Sequence, residues 1–473
     1  MKLMTSTRGR ALCVVTALTL AVAACGNSGS SKSTTTTSPA GTVTTNTGTQ
    51  DLTKNEPVQA PGVTSTEIHV GSITSKTNPA GIDFGPFDEG IKAYFDMVNS
   101  GGGIYGRQLK LTSERDDQTV GNQTAVQAML SQDNVYAVFA AVELFTGSKL
   151  LAKAGIPTYG WNINAEWASG PNFYPNIAPL CFTACNNPYP HMLPYVVHQE
   201  QRHRVALIAY NVPQSSDACQ GYVRAFKQFG SDVDAQVVYS DASLQFGQTD
   251  YSAQVAQMKA KNVDFLTTCL DSNGDYAVAK EMEKQGILNK VVFYHPNLYD
   301  ANFVKKNASV LNGGIVLVGD SVAVENQPEI APVKQYLDYA HSHNLIVTEM
   351  SIQGWIAALQ FVNGLKAAGP DFTWANLTGA WNQQTYYTAG GWTPPIDWTK
   401  QHADPSKVPA SRSQFECANF VKIVNGAFVP IWNDGGSKPW VCFNGQNLNQ
   451  WQTPVNVSFA GPPFKITDVQ KTS

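Results

Sequence analysis

Apolar residues along this chain come in two alternating forms, short unbroken runs and stripes at helical spacing, and each form predicts its own element. Residues 67–73 read as a first strand. Residues 88–99 read as a helix, since Ile91, Tyr94, Phe95 and Val98 return at three- and four-residue steps. A strand at 108–112, a helix at 121–130 and a short buried strand at 135–139 follow, and a further helix leads to Ile156-Pro157-Thr158-Tyr159. The alternation then restarts. Residues 205–210 are almost all apolar, as a strand covered on both faces should be. A helix through Tyr222 and Phe226, strands at 235–239, 263–268 and 291–294, and helices at 250–261 and 275–285 complete the second set. Repeated strand–helix units predict an α/β protein with two parallel sheets wrapped by helices. Later, Ile352, Trp355, Ile356, Leu359 and Val362 fall on one helical face. After Trp381 the regularity fades into Tyr386, Tyr387, Trp392 and Trp398, a cluster expected to pack between lobes. A hairpin is then expected from 417–423 and 427–431, turned by Asn425-Gly426.

Ahead of the first strand the pattern is different. Residues 11–24 form an apolar run behind Lys2, Arg8 and Arg10, which reads as a secretory signal too short to span a bilayer stably. Its end, Val22-Ala23-Ala24-Cys25, resembles the lipobox of bacterial lipoproteins, in which the cysteine becomes the lipid-carrying first residue. The resemblance implies a signal peptide at 1–24, acylation of Cys25 by palmitate-type chains, and a place on the outer, extracytoplasmic face of the cell membrane. Residues 26–62 offer almost nothing to a core, so a disordered Ser/Thr-rich leash is expected. About 37 such residues reach on the order of 30 Å.

Composition narrows the remaining choices. The rest of the chain is too long for one ordinary core and suits two lobes. Net charge is −4, from 32 basic and 36 acidic residues with no long basic block, so nothing invites nucleic acid. With Cys13 in the signal and Cys25 lipidated, six cysteines remain: Cys181, Cys185, Cys219, Cys269, Cys417 and Cys442. An even set in an oxidising compartment reads as disulfides, although six allow about 15 pairings. Cys181 and Cys185 have the spacing of a local loop staple. No His or second close Cys pair completes a tetrahedral metal set, so neither metal nor cofactor is expected.

Gly101, Gly103 and Gly106 match G-x-G-x-x-G, but a helix precedes them and a strand follows. A dinucleotide site needs the reverse order, so these glycines are expected to end a helix and turn the chain. The same stretch, Val98-Asn99-Ser100-Gly101-Gly102-Gly103-Ile104-Tyr105-Gly106-Arg107-Gln108-Leu109, with Asp116-Asp117-Gln118 after it, resembles the leucine/isoleucine/valine-binding family of periplasmic binding proteins. The likeness continues at Ala154-Gly155-Ile156-Pro157, Thr249-Asp250-Tyr251, Asp264, Gly286-Ile287, Gly354-Trp355-Ile356-Ala357-Ala358 and Ala367-Ala368-Gly369, covering about residues 66–385.

The resemblance implies a periplasmic binding protein type I fold: two flavodoxin-like, doubly wound lobes with a ligand cleft and hinge crossovers. Lobe 1 would comprise 63–183 plus 321–385, and lobe 2 would comprise 184–320 plus 386–473. Crossovers would fall near 179–188, near 319–324 and after 385. On that topology Cys219 and Cys269 lie at neighbouring strand ends and are expected to pair near the cleft, leaving Cys417 with Cys442. Ligand contacts are expected from the loops after strands. In lobe 1 these are Val142, Glu143, Trp161, Asn162 and Asn164. In lobe 2 they are Asn211, Ser216, Asp217, Asp271, Ser272, Asn297 and Tyr299. Six of them also have a structural role open to them: Trp161 as a cap on the sheet, Glu143 in an ion pair, Asn162 and Asn164 in turns, Asp217 and Asp271 as helix caps. The family's acidic residue for a ligand ammonium aligns near Asn297, and its aromatic residue near Ala218. An aromatic or amide-bearing molecule therefore suits the site as well as a branched-chain-amino-acid-like one.

The function expected is that of a monomeric, lipid-anchored substrate-binding protein of an ABC importer, partnered by a small solute and a membrane permease. A ligand-binding sensor of the same fold is the alternative. An exported enzyme ranks third, since the sequence contains neither H-E-x-x-H nor G-x-S-x-G.

Overall fold

In the computed structural model, residues 51–78, 83–168, 170–176, 190–319, 321–326, 330–402, 415–444 and 449–461 are described. The first half builds one sheet from β1 (Glu67–Thr74), β2 (Gln108–Asp116), β3 (Ala137–Ala141), β4 (Thr158–Gly160) and β5 (Phe173–Pro175), in the order β2-β1-β3-β4-β5 with every pair parallel. Helices α1 (Pro86–Ser100), α2 (Asn122–Gln132) and α3 (Ser148–Ala154) make the crossovers. β3 is buried at every position, which accounts for its unbroken apolar sequence.

The second sheet repeats this winding. Its parallel part is β6 (Arg204–Tyr210), β7 (Gln236–Leu244), β8 (Phe265–Cys269), β9 (Val292–His295) and β10 (Ile315–Val318), ordered β7-β6-β8-β9-β10. α4 (Met192–Gln199) precedes it, and α5 (Pro213–Phe229), α6 (Ser252–Ala260), α7 (Ser272–Lys284), α8 (Ala301–Lys306) and α9 (Ala308–Leu311) alternate with its strands. Beyond β10 the sheet turns antiparallel through β11 (Phe415–Val424), β12 (Ala427–Ile431), β13 (Trp440–Asn444) and β14 (Val455–Val457). β11 and β12 form the expected hairpin, with Asn425 (φ 51°) and Gly426 (φ 75°) in the left-handed turn that such sequences favour.

Between β10 and β11 the chain returns to the first sheet through α10 (Ala331–His343), α11 (Glu349–Ala368), α12 (Trp374–Trp381) and α13 (Trp398–Gln401). α11 is buried on almost every face and packs along α1. Glycines permit this closeness: a Cβ on Gly90 would lie 2.1 Å from the Ser351 carbonyl oxygen, and one on Gly354 would lie 1.9 Å from that of Phe87. The glycine run after α1 serves as a turn into β2, and Gly103 (φ 79°) has no room for a side chain against the Arg107 carbonyl.

Three sequence expectations change. Residues 51–62, read as the end of the leash, pack on the first sheet. Arg107 donates to the Glu56 and Thr64 carbonyls at 2.6 and 2.7 Å, and Val58 is buried. The reason is local: Glu56 supplies the backbone acceptor for one end of the guanidinium, whose other N–H groups reach the Thr64 and Tyr105 carbonyls. Residues 386–402, assigned to lobe 2, pack instead with first-lobe elements. Trp381 and Tyr387 meet edge to face at 4.8 Å, Trp398 meets Tyr174 at 5.4 Å, and Trp392 lies 5.6 Å from Tyr336. Finally, the expected Cys219–Cys269 bridge is absent. Both are buried free thiols in hydrogen-bonding contact, because α5, which carries Cys219, packs over the end of β8, where Cys269 sits. Cys417 and Cys442 face each other across β11 and β13 and are joined by a disulfide. Cys25, Cys181 and Cys185, and the crossover expected near 179–188, lie outside the described residues.

Candidate functional site

Both parallel sheets have the strand order 2-1-3-4-5, so each reverses direction between its first and third strands. A crevice opens at such a switch point, outside the carboxyl ends of the strands. Here the loops after β1 and β3 in the first sheet meet those after β6 and β8 in the second around a cavity of about 510 Å3.

The first-lobe wall is set by a buried polar network. Ser75, just after β1, donates to Asp117 at 2.7 Å and accepts from the Glu143 N–H at 3.0 Å. Asn122 donates to the other Asp117 oxygen at 3.0 Å. Asn164 reaches back to the Glu143 carbonyl at 2.9 Å. Glu143 is thereby held at the rim between lobes, where Gln214 of α5 donates to its Oε1 at 2.7 Å and to its carbonyl at 3.1 Å. Burial, and then the charges of Asp271 and Asp117, push its carboxyl above the usual range, against the Gln214 hydrogen bond. Trp161 follows β4, its N–H bonded to the Ala140 carbonyl at 3.0 Å and its ring edge-on to Phe84 at 5.4 Å. Asn162, fully buried, comes next in the wall.

The second-lobe wall centres on Asp271. It caps α7 by accepting from the Asn273 and Gly274 N–H groups at 2.8 and 2.9 Å, and it accepts from the Tyr210 hydroxyl at 2.6 Å. Burial first, then this carboxylate, push the Tyr210 phenol far above its ordinary value. Ser272 donates to the Asn297 carbonyl at 3.0 Å, and Asn297 donates to that of Leu270 at 2.9 Å, so the loops after β8 and β9 brace each other. Tyr299 donates to Glu325 at 2.5 Å and accepts from the Val324 N–H at 2.8 Å, tying the wall to the segment after β10.

Of the residues expected at the site, Glu143, Trp161, Asn162, Asp271, Ser272, Asn297 and Tyr299 line the cavity. Val142, Asn164, Asn211, Ser216 and Asp217 do not. Val142 points into the core behind β3. Asn164 supports the Glu143 loop. Asn211 is exposed, and Ser216 and Asp217 are half-buried on faces of α5 turned from the cavity. The wall also holds Asp83, Phe84, Tyr210, Phe246, Asp300 and Phe303. One face of α5 contributes Gln214, Ala218 and Tyr222, and their four-residue spacing was the signal that the loop rule overlooked.

Among the described residues no group of three or more His, Cys, Asp or Glu could hold a metal ion, and no helix is long and apolar enough to cross a membrane.

The sequence matches the periplasmic binding protein family over residues 67–422. No curated protein matches it. Among solved structures, a substrate-binding periplasmic protein from Ralstonia solanacearum superposes with a TM-score of 0.63 at 15% identity, over 77% of this chain and 100% of that one. A branched-chain amino acid ABC transporter protein from Thermus thermophilus with bound valine gives 0.62 at 14%, over 77% and 95%. A solute-binding protein of an R. palustris ABC transporter in complex with benzoate gives 0.60 at 14%, over 84% and 99%. At such identities the likeness establishes the fold.

Proposed function

Because the chain belongs to the periplasmic binding protein family, we propose that it is the lipid-anchored solute-binding component of an ABC importer, holding a small molecule between its lobes and passing it unchanged to a permease. The observation that carries this reading is the cavity of about 510 Å3 walled by both sheets. Its volume suits a small organic solute. Closure of two lobes around the solute converts occupancy into a shape that a membrane partner can read. The valine and benzoate held by the similar structures are solutes of the size such a cavity takes.

Cys25 supplies the anchor in this reading, on the outer face of the membrane, and the protein acts as a monomer. Cys25→Ala is expected to move the protein from the membrane fraction to the soluble one, and retention in membranes would remove the anchor from the proposal. A thermal-shift screen of amino acids, amides, amines and aromatic acids tests the carrier role, since a ligand that binds only the folded state raises Tm. The stabilising compound is expected back unchanged by mass spectrometry after prolonged incubation. Its chemical conversion would overturn the carrier reading.

A further inference from the structure

The walls of the cavity are acidic. Asp83, Glu143, Asp271, Asp300 and Glu349 line it, and among the described residues no Lys, Arg or His does. Glu143 is only 9% exposed. Its Oε1 accepts from Gln214, while its Oε2 has no partner among the described residues. Asp271 faces it from the opposite lobe, held by Tyr210 and the start of α7. Two buried carboxylates thus face the same cleft, and among the described residues no Lys, Arg or His lines it, an arrangement that costs free energy until a counter-charge arrives. The remaining wall is aromatic, with Trp161 and Phe84 packed edge to face on one side and Tyr210 on the other. Aromatic faces attract cations and repel anions.

On the solute-binding reading above, we propose that this cleft selects an organic cation, an ammonium or guanidinium group on an apolar or aromatic body, with the charge seated between Glu143 and Asp271. A solute bearing a free carboxylate would bring a further negative charge to a site that has no basic side chain among its described lining residues, and is rejected.

Isothermal titration of the full-length, detergent-solubilised protein with four matched probes tests this: phenethylamine (cation), 2-phenylethanol (neutral), phenylacetate (anion) and phenylalanine (zwitterion). The amine is expected to bind at least roughly tenfold more tightly than the alcohol, and phenylacetate not measurably, as a charge-assisted hydrogen bond requires. Glu143→Gln keeps the shape and the Gln214 contact, and is expected to reduce the amine-to-alcohol ratio by roughly tenfold or more. Asp217→Asn, outside the cavity, is expected to leave that ratio unchanged. Binding of phenylacetate or phenylalanine as tightly as the amine would overturn the cation assignment while leaving the carrier reading intact. An unchanged ratio in Glu143→Gln would likewise overturn it. Chemical conversion of the bound amine would overturn the carrier reading and leave the cation site standing, whereas no binding of any probe or of any amine in a wider thermal-shift panel would overturn the cation assignment.

Discussion

Asp88 lies on the buried face of α1, with Lys76 Nζ 2.8 Å from its Oδ2. Burial raises its pKa and Lys76 opposes the rise, leaving the carboxyl at about 6 against an ordinary 3.8. The folded protein therefore holds this proton more tightly than the unfolded chain does. Its contribution to stability is largest at the acid end of that window and declines as pH rises through about 6. Asp88→Asn is expected to flatten the corresponding part of a Tm-versus-pH curve, removing a change on the order of 2–3 kcal/mol. A curve that keeps its slope in the variant would assign the effect to other carboxylates. Trp161 offers a second test at this scale. Its ring meets Phe84 and the cavity together, so Trp161→Ala is expected to weaken solute binding by roughly tenfold or more, read by titration. Residue identities at the strand ends were legible because a loop after a parallel strand has only one place to be. Which side chain of a loop turns inward was not. Val142 and Glu143 are adjacent, yet one enters the core behind β3 and the other the cleft.

The pairing of α1 with α11 is the clearest case of an element whose partner decides its composition. Gly90 and Gly354 sit where each backbone meets the other helix, and a methyl group at either would overlap a carbonyl oxygen. Gly354→Ala is therefore expected to destabilise the protein by about 2 kcal/mol or more, despite Ala being the better helix former, and to be seen as a lowered Tm. Apolar periodicity revealed α11 as a helix, but the closeness of its contact is a property of the pair. Strand extents show the same division. β2 was expected over 108–112 and runs to Asp116, and β7 was expected over 235–239 and runs to Leu244. Both lie at sheet edges with half-exposed, polar outer portions, where hydrogen bonding to a neighbour continues after the apolar pattern has ended.

At the scale of the whole molecule, the second sheet is larger than the repeat predicts because β11, β13 and β14 add an antiparallel flank, fastened by Cys417–Cys442. With the two cysteines 25 positions apart, loss of this bond is expected to cost about 3 kcal/mol. A Cys417→Ala, Cys442→Ala double variant should accordingly melt at lower temperature, and an unchanged Tm would mean that the flank is held by packing alone. Periodicity and local backbone preferences within a few residues determined the two strand–helix repeats and the turns, while the place of a cleft between lobes came from the family resemblance. Only the tertiary structure decided that residues 51–62 join the first lobe, that the rings after Tyr386 pack there too, and that Cys219 and Cys269 lie together as thiols. It also decided that acidic residues distant in the chain share one cavity, without a basic residue among its described lining residues. Each of these depends on which surfaces meet, and a surface is assembled from residues whose separation along the chain carries no record of their separation in space.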